Sequence, residues 1–176
     1  MKHDTAGPRQ HGPSRRPPFI EIVWSWIGAA SGIGLVGVLA HWWSRPAGLM
    51  LIGSYGASAV LLYGAPRSPL AQPRNLLGGH ILSAIVGVAC YQLFPDNQPL
   101  AAALAVATAI SVMQITRTLH PPGGATALIA VLGPQAVHDT GWLFPVPVAL
   151  GAGILLAVAL VVNNLSRQHR YPEHWF

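Results

Sequence analysis

Charged residues are scarce in this sequence. Asp, Glu, Lys and Arg make up 9% of the 176 residues, whereas about a quarter is usual in a soluble globular domain. Eight of the charges lie near the two ends, so residues 19–166 hold only seven. Seven charges are too few to cover a water-soluble surface of this length, and 52% of the residues are hydrophobic. The composition therefore predicts an integral membrane protein that crosses the bilayer several times.

Cysteines and carboxylates are scarce as well. The one cysteine, Cys90, excludes a disulfide framework and a cysteine-rich zinc site. The few carboxylates do not lie deep in any apolar stretch, and the histidines of the middle region stand singly. A membrane enzyme usually shows a nucleophile, a carboxylate pair or a cluster of metal ligands, and the neighbours His138 and Asp139 are weak evidence for one. We therefore expect no enzyme activity, no metal and no cofactor.

Six apolar stretches, bounded by proline, glycine or charge, can be marked along the chain. If all six cross the membrane and the N-terminus is cytoplasmic, nine of the ten Lys and Arg residues lie on the cytoplasmic side, as the positive-inside rule favours. Positive charges in tails and short loops also exclude the basic stripe that nucleic-acid binding needs. The fifth stretch is the weakest, because eleven residues of helix rise only about 17 Å. The six stretches are about 19–43, 47–64, 76–94, 100–117, 123–133 and 145–165.

The second and fifth stretches look like copies of one element. Residues 56–61 (GASAVL) match residues 124–129 (GATALI) at an offset of 68, and Pro66 and Pro134 keep the same offset. Three crossings per copy would give the two halves opposite orientations, as in the inverted repeats of secondary transporters. A chance match between two helices rich in Gly and Ala is the alternative.

The predicted fold is thus an all-α membrane protein with about six transmembrane helices, arranged as two inverted three-helix repeats. Its second and fifth helices are broken or short. We expect a cytoplasmic N-terminal tail at 1–18 and a transmembrane domain at 19–166, with repeats of about 19–95 and 96–166. A cytoplasmic C-terminal tail follows at 167–176.

Two long motifs resemble the HPP family of integral membrane proteins, which is named for a His-Pro-Pro string. One motif is TLHPPGGATA at 118–127, and the other is GASAVLLY at 56–63 followed by SPLAQPRN at 68–75. With Gly79-His80, the resemblance covers about residues 19–164. It implies nitrite transport, which is associated with plastid and cyanobacterial members, whereas many members have no assigned function. The family is usually described with four spanning helices, from which the count of six departs.

The His-Pro-Pro string predicts a break between two helices. Prolines lack a backbone N–H and disfavour helix in the preceding residue, so the fourth helix must stop near His120 and a new one start at about Ala125. The unpaired N–H groups and positive dipole end of a helix start form an anion site. A second start in the repeat could face it near the membrane midplane. The predicted substrate-binding residues are Ser54, Gly56, Ala57, Ser58, Arg117, His120, Gly123, Gly124, Ala125 and Thr126.

If transport is coupled to protons, histidines are the candidate proton carriers, because their charge changes near neutral pH. His120 is the first candidate and His80 the second. Plainer interpretations stay open: residues 121–124 as a tight turn, Arg117 as a positive-inside residue, and the hydroxyls of Ser58 and Thr126 bonded to their own helices.

The leading hypothesis is transport of a small inorganic anion, with nitrite as the first candidate, across a bacterial inner membrane. Its rivals are transport of nitrate, bicarbonate or a neutral molecule, a membrane enzyme, and a non-transporting scaffold. Glycines suited to close helix packing, such as Gly28, Gly32 and Gly151, could pack helices within one chain or between two. Since one chain gives a thin bundle, we expect a homo-oligomer, most simply a dimer, in the lipid bilayer.

Overall fold

The structure, a computed structural model, describes residues 16–43, 53–166 and 170–175. Its described part is helical and contains no strand. Among these described residues, four helices are long and apolar enough to cross a membrane, and three are short. The helices are α1 (Phe19–Trp43), α2 (Ser54–Ala59, continued by a π-helical turn at Val60–Gly64), α3 (Pro73–Leu93), α4 (Gln98–Ile115), α5 (Pro121–Leu132), α6 (Gln135–Thr140) and α7 (Pro145–Leu165), with 3₁₀ turns at Pro69–Ala71 and Gly141–Leu143.

The second and fifth elements are short, as the sequence predicts. Helix α5 has 12 residues and rises about 18 Å, well below the roughly 30 Å of a bilayer's hydrocarbon core. Four candidate spans agree with the number usual for the family that the motifs resemble. The count of six crossings and the inverted repeat are not confirmed by this structure and stay predictions.

Helix α5 begins at Pro121 and not at about Ala125, so the predicted start is four residues too late. Pro121 and Pro122 occupy its first two positions, where proline is tolerated because the N–H groups there have no partner within the helix. Helix α4 ends early, at Ile115. The chain turns through Arg117, whose φ is +57°, and the Thr118 N–H donates to the Met113 carbonyl at 2.8 Å. This is a Schellman end without its usual glycine, so no residue type marks it in the sequence.

Helices α3 and α5 pack closely because glycines face each other across them. A Cβ on Gly87 would lie 2.6 Å from the Ala130 side chain, and one on Gly123 would lie 2.8 Å from the Gly79 carbonyl oxygen. Both distances are too short for real contacts. The close approach brings the start of α5 against the middle of α3.

Two tyrosines fix the short α2 against the long helices. The Tyr63 ring covers Gly28 and Gly32 of α1, and the Tyr55 ring covers Gly151 of α7. The Tyr55 hydroxyl donates to the Val148 carbonyl at 2.7 Å, and the Tyr63 hydroxyl donates to another α7 carbonyl. Gly28, Gly32 and Gly151 therefore pack against tyrosines of the same chain.

The π-helical turn that ends α2 has partners for its carbonyls. The Ser25 hydroxyl of α1 donates to the Tyr63 carbonyl at 2.6 Å, and the Asn163 amide of α7 donates to the Leu62 carbonyl at 2.9 Å. Carbonyls at a helix end need such partners where no water reaches them. A short helix can therefore end inside the domain without an orphaned carbonyl from these two residues.

The C-terminal segment 170–175 lies against the turn after α2, which we call loop 65–72. Tyr171 is buried, and its hydroxyl donates to the Ala71 carbonyl at 2.8 Å. Burial raises the pKa of the Tyr171 hydroxyl, so this group stays protonated and able to donate. The Glu173 N–H donates to the Gln72 side chain at 3.0 Å, while the Gln72 amide bonds the Pro66 and Ser68 carbonyls. The segment thus holds loop 65–72 in one shape.

Candidate functional site

Five polar side chains meet inside the domain, where α2, α3 and α5 come together. Each is at most 1% exposed, and hydrogen bonds connect all of them. We call them the polar cluster: Ser54, Ser58, His80, His120 and Thr126. All five are predicted site residues, but the position of His80 among the others is not evident from the sequence.

His120 is positioned by loop 65–72 and by α2. Its Nδ1 lies 2.8 Å from the Leu70 carbonyl oxygen, and its Nε2 lies 2.9 Å from Ser58 Oγ. His120 is the residue that precedes α5, in extended backbone, as expected before proline. Its Cβ packs against the position of Gly79, where a side chain would collide with it.

His80 lies between two hydroxyls. Ser58 Oγ is 2.7 Å from its Nε2, and Thr126 Oγ1 is 2.7 Å from its Nδ1. Ser58 therefore bridges the two imidazoles, whose ring centroids are 5.1 Å apart. The Tyr55 ring meets His80 edge-on at 5.3 Å and sends its hydroxyl to α7, away from the cluster.

Ser54 completes the cluster and offers a second acceptor to each central hydroxyl. Its Oγ lies 2.9 Å from Thr126 Oγ1, and its carbonyl oxygen lies 3.3 Å from Ser58 Oγ. Thr126 has a comparable alternative at 3.3 Å in the Pro122 carbonyl. The bonds to the imidazoles are the shorter ones.

The neutral cluster has one consistent arrangement of protons. A carbonyl only accepts, so His120 carries its proton on Nδ1 and its Nε2 accepts from Ser58. Ser58 has one proton, so His80 must donate to it from Nε2 and accept from Thr126 at Nδ1. Thr126 then donates to His80 and not to Ser54 Oγ, the second acceptor within its reach at 2.9 Å. Each imidazole nitrogen of the cluster is satisfied without an external ligand.

Arg117 lies outside the polar cluster. Its side chain is exposed, and it occupies the turn that ends α4. The predicted role of Arg117 in substrate binding is therefore not supported by its position, because a guanidinium at the surface does not reach the buried imidazoles.

The backbone at the start of α5 also differs from the expected anion site. Pro121 and Pro122 have no N–H, and the Gly123 N–H donates to the His120 carbonyl at 2.8 Å. The Gly123 N–H, one of the predicted anion-binding groups, is therefore already paired within the chain. Gly124 and Ala125 are half-buried and make no side-chain bond to the cluster.

The two short helices do not face each other start to start. Ser54 at the start of α2 contacts Thr126, well inside α5, whereas Ser58 contacts His120, the residue before α5. As the chain proceeds from Ser54 to Ser58 in α2, the contacted residue moves back from Thr126 to His120. The expectation of two opposed helix starts is therefore corrected. Gly56 and Ala57 are exposed and point away from the cluster.

Two side chains of α3 hold the segment that leads into His120. The Arg74 guanidinium donates to the Thr116 carbonyl at 2.6 Å, and the Asn75 amide donates to the Leu119 carbonyl at 2.7 Å. Sequence reasoning missed this positioning role, since the bonds join residues more than 40 positions apart. The motif at 68–75, which contains both residues, was the available signal.

Within residues 16–43, 53–166 and 170–175, no three His, Cys, Asp or Glu side chains are grouped as a metal site would require. His138, the other histidine considered above, bonds the Val131 carbonyl and stacks on Tyr91 with centroids 3.9 Å apart. Its neighbour Asp139 accepts from Gln135. Both have structural partners of their own.

Comparison with known proteins agrees with the motifs. Residues 14–172 match the family model described as HPP, transmembrane region. The chain belongs to the HPP transmembrane family. Two relatives from Dictyostelium discoideum, each named only as a transmembrane protein, are 46% identical over 173 and 166 residues. These matches cover 94% and 92% of this chain but 60% and 53% of the relatives, so the chain spans little more than half of their length. No solved structure matches the chain.

The string that gives the HPP family its name has a clear structural role here. His120 supplies an imidazole to the polar cluster, and the two prolines start α5 immediately after it. The following Gly123 lets α5 approach α3, and Thr126 returns to the cluster one turn later. Residues 120–126 thus contribute one imidazole and one hydroxyl to the polar cluster.

Proposed function

We propose that this HPP-family chain transports a small inorganic anion, with nitrite as the first candidate, through the polar cluster. The observation that carries the proposal is the cluster itself. Five connected polar side chains are buried among apolar helices, where such groups are costly and typically mark a substrate or ion pathway.

The chemistry of the cluster favours an anion over a cation. Its side chains are hydroxyls and imidazoles, which donate hydrogen bonds, and none is a carboxylate that would attract a metal cation or repel an anion. Nitrite only accepts hydrogen bonds and carries one negative charge. Burying that charge without a positive partner is very unfavourable.

Protonation of an imidazole supplies the positive partner. His80 and His120 are the cluster residues that can gain a charge near neutral pH, so the anion and a proton would enter together. Coupling by a proton also removes the need for Arg117 in the site. Nitrite itself comes from the family resemblance, since the relatives' names give no substrate.

We propose further that the chain lies in a bacterial inner membrane with both ends cytoplasmic, as a dimer, and that α2 and α5 are the equivalent parts of an inverted repeat. The repeat-related Ser58 and Thr126 both bond His80, which supports the equivalence. Single cysteines introduced at Arg67 and Asp96 in a Cys90→Ser background, labelled with a membrane-impermeant maleimide in intact cells, test the topology. Labelling at position 96 and protection at position 67 are expected, because six crossings from a cytoplasmic N-terminus place 96 outside and 67 inside. Labelling at position 67 contradicts this topology.

The experiment for transport is uptake into proteoliposomes. Saturable nitrite flux that increases with an inward proton gradient is expected, with nitrate, formate and chloride as competing anions. His120→Gln should remove most of the flux. His138→Gln is the matched control, because it removes a histidine outside the cluster. No flux above that of empty liposomes overturns the proposal.

A neutral solute is the second candidate. It is favoured by the neutral form of the cluster, in which no fixed charge is present. Uptake of a small neutral molecule without response to the proton gradient, together with absent nitrite flux, would select it.

A further inference from the structure

We propose that His80 and His120 act as one proton-accepting pair. The pair takes up a single proton, and a neighbouring hydroxyl then turns from one hydrogen-bond acceptor to another. The role of this pair in transport rests on the proposed function, to which the inference adds the proton chemistry. The proton chemistry is a property of the cluster alone and can be measured without any substrate.

In the neutral pair the two histidines hold opposite tautomers. The Leu70 carbonyl, 2.8 Å from His120 Nδ1, requires the proton of His120 on Nδ1. The single proton of Ser58, shared between contacts of 2.9 and 2.7 Å, then requires the proton of His80 on Nε2. Ser58 is the residue that makes the tautomer of one ring depend on the other.

A proton delivered to His120 by a hydronium ion bonds to the lone pair of Nε2 and leaves a water molecule behind. No covalent bond of the cluster breaks. His120 then donates to Ser58 Oγ, which still accepts from His80. The Ser58 hydroxyl rotates to its other acceptor, the Ser54 carbonyl at 3.3 Å.

A proton taken up by His80 instead attaches to Nδ1. His80 then donates to Thr126 Oγ1, and the Thr126 hydroxyl turns to Ser54 Oγ at 2.9 Å or to the Pro122 carbonyl at 3.3 Å. Each imidazole therefore has a hydroxyl with a second acceptor within reach. The cluster can accept a proton on either ring without losing a hydrogen bond.

The pair accepts one proton and not two, because the ring centroids are only 5.1 Å apart in a buried site. Two positive charges at that distance oppose each other. The titratable side chain in contact with the pair is Tyr55, which adds no charge. Among the cations of the surrounding segments, Arg74 is bound to the Thr116 carbonyl, and Arg67 and Arg117 are exposed.

Proton uptake by His80 changes what the cluster offers to an anion. In the neutral state the cluster carries no charge. Once His80 is protonated, Thr126 donates to Ser54 Oγ at 2.9 Å, and the Ser54 hydroxyl can direct its own proton to an anion whose charge balances the new proton. One proton and one anion per cluster follow from this arrangement.

The test is ¹⁵N NMR of histidine-labelled protein in lipid bilayers without nitrite. His80→Gln and His120→Gln assign the two rings, and His138→Gln is the control that leaves them unchanged. At neutral pH we expect the Nε2–H tautomer for His80 and the Nδ1–H tautomer for His120. On acidification both rings should change together, with uptake of one proton per pair.

Equal tautomers at neutral pH, or two separate single-proton transitions over the same range, would overturn the inference. Ser58→Ala should uncouple the rings, so that protonation of one no longer shifts the signals of the other. Because this measurement contains no anion, a coupled pair in a protein that moves no nitrite would refute the proposed function alone. Flux with uncoupled rings would refute this inference alone.

Discussion

Ser58 and Thr126 bond opposite nitrogens of the same imidazole, each at 2.7 Å from the His80 ring. The two residues occupy equivalent positions of the matching strings at 56–61 and 124–129, 68 residues apart. Each also lies 3.3 Å from the carbonyl four residues before it in its own helix. One histidine from α3 thus joins α2 and α5 at matching positions of the two strings.

Thr126→Val should reduce nitrite flux severely, whereas Thr126→Ser should retain most of it. Valine has nearly the same shape but leaves His80 Nδ1 buried without a donor, which costs about 1–3 kcal/mol. Flux in proteoliposomes and thermal unfolding in detergent measure the two effects. Equal flux in both variants would show that the hydroxyl is not needed.

Gly79→Ala should displace His120 and abolish function. The added Cβ would lie 2.5 Å from the His120 Cβ, so the imidazole cannot keep its bonds to Ser58 and Leu70. Gly34→Ala is the matched control, because nothing lies within 4 Å of the new methyl group and alanine favours the helix by roughly 0.5–1 kcal/mol. Normal flux in Gly79→Ala would contradict the assigned position of His120.

Arg117→Gly should preserve transport and raise stability by about 1 kcal/mol. Glycine has no side chain to oppose the left-handed conformation that Arg117 adopts, and it is the residue usual at this position of a Schellman end. Arg117→Ala separates the charge from the backbone effect, since it removes the guanidinium without relieving the backbone. Loss of flux in both variants would return Arg117 to the substrate pathway.

Tyr171→Phe should lower stability by about 1 kcal/mol, the typical net contribution of one hydrogen bond. The hydroxyl removed bonds the Ala71 carbonyl, next to the Leu70 carbonyl that fixes His120. We therefore expect a partial loss of flux and a less uniform His120 tautomer by ¹⁵N NMR. Tyr55→Phe, which loses a hydroxyl bonded to α7, is the comparison that leaves loop 65–72 intact.

The sequence alone was sufficient for the long helices and for the identity of the cluster residues. Hydrophobic runs located all four long helices, and the repeat identified Ser58 and Thr126 as related. His120 followed from its place before two prolines. These features depend on residues that are neighbours in the chain.

The partnerships between distant residues could not be predicted. His80 joins α2 and α5 because Gly79, Gly87 and Gly123 allow α3 and α5 to approach closely, and this packing has no local pattern. The predicted role of Arg117 in the site fails for a different reason, which is local. Charge suggested a role in the site, while the backbone geometry that turns it outward is unusual for arginine.

The bonds between segment 170–175 and loop 65–72 also have a practical consequence. An affinity tag fused to this end of the chain would follow segment 170–175, in which Tyr171 is buried and Glu173 is bonded to Gln72. Tension or bulk at that end could pull on the loop that orients His120. Purification from an N-terminal tag, with the other end left untouched, therefore gives the sample in which transport should first be measured.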